Sequence, residues 1–529
     1  MELVLVILIS IPLSIITNIM FLTGIINTPP GMTYLGVTHH FQDYFAYISQ
    51  VMQGVNGLWL TQDLYTTEQT VAAPAYWMNI LLGHISRITT IPPILLFNAS
   101  VFILVFLMLV CSYLFFRRIL QSSRLGLIAF LFFVFSNSVQ NRLPATSPYP
   151  YWPFELWGTP HLMFTRLSTL PHHLIQTLLF MAILLLLFDE KQTLRSWIRN
   201  GLLGLCTALL TLLQPIMVGM LTGAYVCTKL LFGKTKPWGK IVTVSVGFLF
   251  SFIVMLCAFQ GEPHIQLRLW EKTQQTFTTT LFLLLSIGPI LPFAAIGMWM
   301  AIKKRIPLGI TGCLLVTGGY VLFRFPAIDQ LIGITNVRVI FPGTILFLAW
   351  FGALGVDALT KWVSIRTHVK RPLVEALCIV LFLGAVAPTV IWEIQQKINP
   401  NASISPINYI PTSTMEAYTF LKKQSPYTTV VLGNPETYTN YLIPALTGHV
   451  TVSGHPLLTI HADSKNAQAK AFFSLTMDVA AAKEWLAKER VTYVVLTDGD
   501  GSKEAFVQAY PFLTAVFSTP TAAVYQTNK

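Results

Sequence analysis

The residues best suited to chemistry sit just after the first apolar run, in His39-His40-Phe41-Gln42-Asp43-Tyr44. From Asp43 onward the pattern is helical, with Tyr44, Ile48, Val51, Met52 and Val55 on one face. Such a helix is expected to lie in the membrane interface, aromatics down. A carboxylate at that boundary is partly desolvated, which disfavours its charged form and raises its pKa toward the range of a general base. Asp43 is therefore a candidate general base. An Asp at a helix start also reads as a cap, and on spacing both readings stay open.

Other groups could assist. Arg338 opens a late apolar run in Asn336-Val337-Arg338-Val339-Ile340-Phe341-Pro342. A charge there faces a cavity or snorkels to the interface. His172-His173 follow Pro171 at the start of another run, where they either cap the helix or bind substrate. As joint metal ligands they are disfavoured, because helical neighbours point about 100° apart. Residues 149–157 are rich in Tyr, Trp and Phe around Glu155. Aromatic rings stack on sugars and also settle at membrane interfaces. Asp498-Gly499-Asp500-Gly501 reads as a turn after a strand.

The bulk of the chain is what must position these groups. Its 529 residues are 54% hydrophobic and 11% charged. Soluble domains carry roughly a quarter charged residues, so a bilayer is the implied solvent. The net charge is +12, yet residues 405–529 hold nine basic and nine acidic groups, so the excess lies upstream. That excess fits Lys and Arg holding loops on the cytoplasmic side, and nucleic acid is not an expected partner. The six cysteines all lie in apolar runs, away from the C-terminal region, and read as small hydrophobes. Residues 3–22 lack a basic lead and a small-residue cleavage site, so a first span is expected there.

Candidate spans are 3–22, 94–116, 125–139, 171–188, 201–213, 216–232, 241–259, 279–301, 307–323, 338–356 and 373–391. Five basic clusters share one side if the N-terminus is inside and about eleven spans follow. They are Arg117/Arg118/Arg124, Lys191/Arg195/Arg199, Lys234/Lys236/Lys240, Lys303/Lys304/Arg305 and Lys361/Arg366/Lys370/Arg371. This requires 75–88 to lie on the membrane surface and 201–232 to break at Gln214-Pro215. The long loops 24–93, 140–170, 260–278 and 324–337 then face outside, with ten of the eleven histidines. The expected fold class is mainly α, polytopic, with a small C-terminal α/β extracytoplasmic domain. The domains are 1–395 in the membrane, a linker at 396–412, and 413–529 outside. Helices are expected at 415–423 and 479–488, and strands at 429–432, 450–453, 493–497 and 522–526. No GxGxxG or P-loop occurs there, so nucleotide binding has no support.

A span followed by an outer loop that opens with an Asp-Tyr helix, then Gly57-Leu58-Trp59 and Asp63-Leu64-Tyr65, resembles the GT-C superfamily of membrane glycosyltransferases. Arg338 at the head of a late span adds to the resemblance. Pro444-Ala445-Leu446-Thr447-Gly448-His449 with Gly454-His455 resembles the soluble domain of some bacterial members. The resemblance implies a polyprenyl-phosphate sugar as donor, with a glycan, lipid or protein as acceptor. Asp43 would take the acceptor proton, and displacement would invert the anomeric centre. Arg166, Arg338, Arg142, His172 and His173 would face the leaving phosphate. Tyr44, His40 and Glu155 are further substrate-binding candidates. Gln42 precedes Asp43 and no Asp-x-Asp occurs in the loop, so a divalent metal has no support from the residues and no cofactor is assigned.

Two other classes remain open. A transporter or flippase of a lipid-linked glycan predicts charges in mid-span, whereas here they gather at span ends. A non-catalytic envelope-assembly protein predicts that Asp43 is dispensable.

Overall fold

The computed structural model describes residues 2–143, 151–188, 195–233, 236–398, 405–426 and 429–527. Of the expected features, Lys191, Lys234 and the first two residues of the 149–157 run lie outside the described residues. The chain is mainly helical and divides into two compact units.

The first unit comprises Met1–Thr17, Val101–Val254 and Glu271–Asn399. Long apolar runs fold here as helices because a helix satisfies every backbone N–H and C=O internally, as hydrocarbon demands. Among the described residues seven helices are long and apolar enough to cross a membrane, or up to nine if two broken pairs each count as one span. Two of the eleven expected spans fall short: Ser123–Phe135 has 13 residues and Ser196–Thr211 has 16. Another is broken, because Thr280–Ile287 and Leu291–Lys303 meet at 89°. The span expected from 338 begins instead at Pro342, whose ring fixes a helical φ and needs no N–H partner at a first turn. Pro215 does the same after Gln214, so 201–232 is two helices, Ser196–Thr211 and a second starting at Pro215. The helix Pro342–Thr367 is the most buried of the candidate spans. Trp238–Ala258 instead exposes Val242, Val246, Leu249, Phe250 and Ile253 along one face, as a lipid-facing helix does. A hairpin pairs β2 (Gln140–Arg142) with β3 (Tyr151–Pro153).

The second unit gathers three distant segments, Asn18–Ser100, Met255–Trp270 and Pro400–Lys529. Residues 18–100 thus pack with the C-terminal region. β1 (Met32–Tyr34) pairs antiparallel with β4 (Tyr409–Pro411), which occupies the end of the expected linker. The C-terminal sheet has the order β6-β5-β7-β9-β8. Its strands are β5 (Val430–Leu432), β6 (Val450–Thr451), β7 (Val491–Thr497), β8 (Leu513–Ser518) and β9 (Ala522–Thr527). β6, β5 and β7 run parallel, and β9 and β8 turn back antiparallel. Phe472 and Tyr510 stack at 4.5 Å in its core, beside Trp485, Phe506 and Tyr525.

Candidate functional site

The Asp43 helix runs Phe41–Val55. Its apolar face does not lie on lipid, as the sequence suggested. Tyr44, Phe45, Ile48 and Val51 are fully buried inside the second unit, against Trp77–Thr89 on one side and Thr439–Thr447 on the other. Trp77–Thr89 has only 13 residues, about 20 Å of helix, too short to span. The helices Phe41–Val55 and Trp77–Thr89 cross at Gly54 and Gly83. A Cβ on Gly83 would lie 2.1 Å from the Val51 carbonyl oxygen, and one on Gly54 would lie 2.2 Å from that of Ile80. Only glycine at both positions permits this approach.

Asp43 occupies the first turn without capping it. The cap position is His40, and no side chain bonds the free amides. The Asp43 carboxylate is half exposed, with a side-chain exposure of 52%. His455, from the loop after β6, donates Nε2–H to its Oδ1 at 3.2 Å. The direction follows from the other ring nitrogen: His455 Nδ1 accepts the Leu457 amide at 3.2 Å, so the proton resides on Nε2. His40 Nδ1 stands 3.9 Å from Oδ2. Burial pushes the Asp43 pKa up, but the hydrogen bond from His455 and the fields of His455, His39 and His40 outweigh it. The carboxyl is held below its ordinary value, opposite to the rise expected from desolvation. The sequence could not show that a histidine 412 residues away would lie against it.

Around this pair the walls are aromatic. Phe41 meets the rings of Tyr438 and Tyr441 at 5.2 and 5.3 Å. Gln42 donates to the Tyr441 hydroxyl at 2.9 Å. Gly454 lies so close to Tyr65 that a Cβ would sit 2.3 Å from its ring, which seats the His455 loop on the segment after Trp59. Tyr44 has no exposed surface, and its hydroxyl accepts from Asn98 at 3.3 Å. It supports the site from beneath, where a bound substrate has no access.

The segment after Trp59 is clasped to the C-terminal sheet. The Thr451 amide donates to the Leu64 carbonyl at 2.9 Å, and the Thr459 hydroxyl to that of Tyr65 at 2.8 Å. Lys465, 4% exposed, pairs with Glu68 at 2.6 Å and Glu489 at 3.6 Å. Asp63 Oδ1 accepts the Tyr65 amide at 2.9 Å. Burial pushes Asp63 up to about 7, with Glu68 adding to the rise and the Tyr65 amide and Lys465 opposing it. His449 is fully buried against the Thr447 hydroxyl at 2.9 Å, and burial lowers it to about 4. Asp500 accepts from Thr497, Asn434 and Thr437, so the 498–501 sequence is a turn, as expected.

The remaining candidates belong to the first unit. Arg166 is 2% exposed, and all five of its N–H donors reach backbone carbonyls: Phe133, Pro160, His161, Val134 and Ser136. The expected phosphate contact is therefore corrected: Arg166 is a buried strut with no donor to spare. Its turn is fixed by Glu393, which accepts the Met163 and Phe164 amides at 3.1 and 2.9 Å. Arg338 lies in the turn Asn336–Val339, with 43% of its side chain exposed. Its Nη2 pairs with Glu271 at 2.5 Å. Glu271, which sequence reasoning missed, also accepts the Thr335 amide at 3.0 Å. His172 is buried, while His173 bonds the Ser168 hydroxyl at 3.1 Å through Nδ1. Both lie in the first turn of Pro171–Phe188. Glu155 is exposed after β3, and Arg142 is exposed in β2. Among the described residues no group of three His, Cys, Asp or Glu is arranged to hold a metal ion.

Solved structures share this fold. An oligosaccharyltransferase of Archaeoglobus fulgidus, tethered with an acceptor peptide containing the NVT sequon, matches with a TM-score of 0.55 at 13% identity, over 100% of this chain and 74% of that one. The oligosaccharyltransferase AglB of the same organism, in complex with an inhibitory peptide and a dolichol-phosphate, gives 0.53 at 14% identity, over 94% and 69%. ArnT from Cupriavidus metallidurans, bound to undecaprenyl phosphate, gives 0.50 at 12% identity, over 99% and 97%. At such identities the likeness is one of fold. No protein-family model matches the sequence, and no curated protein sequence matches it.

Proposed function

We propose that this chain is an integral membrane glycosyltransferase that moves a sugar from a polyprenyl-phosphate donor to an acceptor hydroxyl. The observation that carries the reading is the half-exposed Asp43 carboxylate, oriented by His455, on a fold shared with proteins solved with dolichol-phosphate and undecaprenyl phosphate.

Asp43, held below the ordinary carboxylate range, is ionised at neutral pH and free to accept a proton. His455 fixes the carboxylate through Oδ1, leaving Oδ2 toward the acceptor. The acceptor O–H gives its proton to Asp43 as its oxygen bonds the anomeric carbon. The anomeric carbon–phosphate oxygen bond breaks, and its electron pair leaves with the lipid phosphate. One carboxylate with no second one as nucleophile favours a single inverting displacement. The phosphate's growing charge calls for a cation, and the exposed edge of Arg338 suits it, with Glu271 fixing the guanidinium plane. His40 and Glu155, both exposed, are the further substrate contacts on this reading. His172 and His173 remain candidates for the same role.

The reading places the N-terminus inside and the Asp43 loop and C-terminal domain outside, with about eleven membrane passes when short and broken helices are counted. Residues 1–395 are then the membrane domain and 413–529 the outer domain. The test is release of polyprenyl phosphate from a panel of polyprenyl-phosphate sugars by protein in nanodiscs. Release by wild type and its loss in Asp43→Asn are expected. Release untouched by the substitution removes Asp43 from the chemistry, and no release from any donor by folded protein overturns the enzyme reading.

A further inference from the structure

Beside Asp43 lies a cavity that the chemistry above does not use. It is an open hollow of ≈ 370 Å³ in the second unit, walled by the helices Thr439–Thr447 and Ala462–Phe473 and the loop after β6. That volume falls in the range of about 300–1,000 Å³ typical of small-ligand sites. Tyr438 and Tyr441 line it with two rings 6.4 Å apart. Asp463, Asn466 and Lys470 line it from one row of a single helix, three and four residues apart.

Two amides there lack partners. Asn440 is 1% exposed, and neither its Oδ1 nor its Nδ2 has a hydrogen bond among the described residues. Asn466 Oδ1 is likewise buried and unbonded. A buried polar atom left unmade costs about 1–3 kcal/mol, which a side-chain turn of Asn440 or Asn466 toward a bound hydroxyl in the hollow would recover.

The lining selects the class of occupant. Tyrosine rings cover the C–H faces of a saturated ring, and an amide offers an adjacent donor and acceptor to neighbouring hydroxyls. Lys470 is paired with Glu436, and Asp463 opposes it in sign, so the site has no positive excess to hold a phosphate. Its walls are helices bonded within themselves, which present no strand edge to a peptide backbone. The cavity also adjoins the base. Tyr441 bonds Gln42, the residue before Asp43, and Gly454 of the lining precedes His455.

We infer that this cavity is an acceptor subsite for a neutral hexose or N-acetylhexosamine unit, so that the hydroxyl delivered to Asp43 belongs to a glycan. The inference rests on the glycosyltransferase reading and adds the class of acceptor.

The test uses the full chain in nanodiscs, with cellotetraose, chitotetraose and a neutral hexapeptide containing serine and threonine as probes. Binding is read by saturation-transfer NMR and titration, and polyprenyl-phosphate release is measured in parallel. At least one tetrasaccharide binds wild type, and Asn466→Ala and Tyr438→Ala each weaken it about tenfold, one lost contact of ~1.4 kcal/mol. Thermal unfolding checks that both variants fold, and Asn466→Ala, on a half-buried helix position, is the milder of the two. No tetrasaccharide binding, or binding equal in wild type and both variants while donor cleavage persists, overturns the subsite alone. Peptide binding that the two substitutions weaken assigns the cavity to a polypeptide and overturns the glycan. Absent donor cleavage with sugar binding intact overturns the enzyme reading and the acceptor role with it.

Discussion

Replacing Asp63 with Asn should firm the grip of the segment after Trp59 on the C-terminal sheet, by an amount that grows as pH rises from about 4 to about 7. Asp63 sits under the Tyr65 amide with its pKa pushed up to about 7 by burial. In an unfolded segment the same carboxyl titrates near about 3.9. Between those values the closed state holds a proton that the open state releases. Stability is therefore greatest below the lower value, falls as pH rises through the window, and levels off above about 7. The full interval corresponds to ~4 kcal/mol, and partial water access reduces it to roughly 2. Asn keeps the oxygen that accepts the Tyr65 amide and removes the ionisation. The opening is local, so the measurement is amide hydrogen exchange of peptides from residues 58–76, corrected for intrinsic rates, at pH 5 and pH 8. Wild type should lose ~1.3 kcal/mol of protection over that interval, about two-thirds of the window, and Asp63→Asn almost none. Parallel loss in both proteins would refute the assignment of the titration to Asp63.

Four further outcomes follow from the geometry. His455→Ala removes the contact that lowers Asp43, so the acid limb of the polyprenyl-phosphate release profile should move to higher pH; a limb that stays put makes His455 a bystander. Gly83→Ala drives a methyl into the Val51 carbonyl and should cost ~1–3 kcal/mol, read as a lower midpoint of thermal unfolding; an unchanged midpoint means the helices are further apart than described. Arg166→Lys leaves buried carbonyls unpaired and should cost ~3 kcal/mol or more, with donor KM unchanged in whatever folds. A raised KM at full stability would return Arg166 to the phosphate. Asp500→Ala strips the acceptor of Thr497, Asn434 and Thr437 and should destabilise the C-terminal sheet by ~1–3 kcal/mol without altering the pH profile of release.

What the sequence revealed divides along physical lines. Apolar runs and prolines carry their own signal, so the break at Pro215 and the helix Val479–Lys488 were legible, whereas the start at Pro342 was read four residues early. Strand β8 and the helix Thr439–Thr447 were not. The helix is buried on all sides and carries Pro444, so it shows no amphipathic period. Asp43 stood out by type and place, but its environment did not. Desolvation is a local inference, whereas the opposing hydrogen bond comes from a partner that only the tertiary fold supplies. Arg166 illustrates the same limit: a guanidinium satisfied by five carbonyls looks in sequence like one waiting for phosphate. His449 and His455 lie six residues apart, yet one is core and the other touches Asp43.

The pairing of β1 with β4 and of Asp43 with His455 also sets a timetable for biogenesis. At ~5–20 residues per second the ribosome needs about 20–80 s to advance from one partner to the other. During that interval the helix Phe41–Val55 has been made while Thr439–Thr447, which covers one of its faces, has not. Its bare aromatic and aliphatic side chains must be sheltered by lipid headgroups or by a chaperone at the exit side. The Asp43–His455 pair therefore forms last: a nascent chain cut short before β4 lacks both His455 and the helix that covers Phe41–Val55.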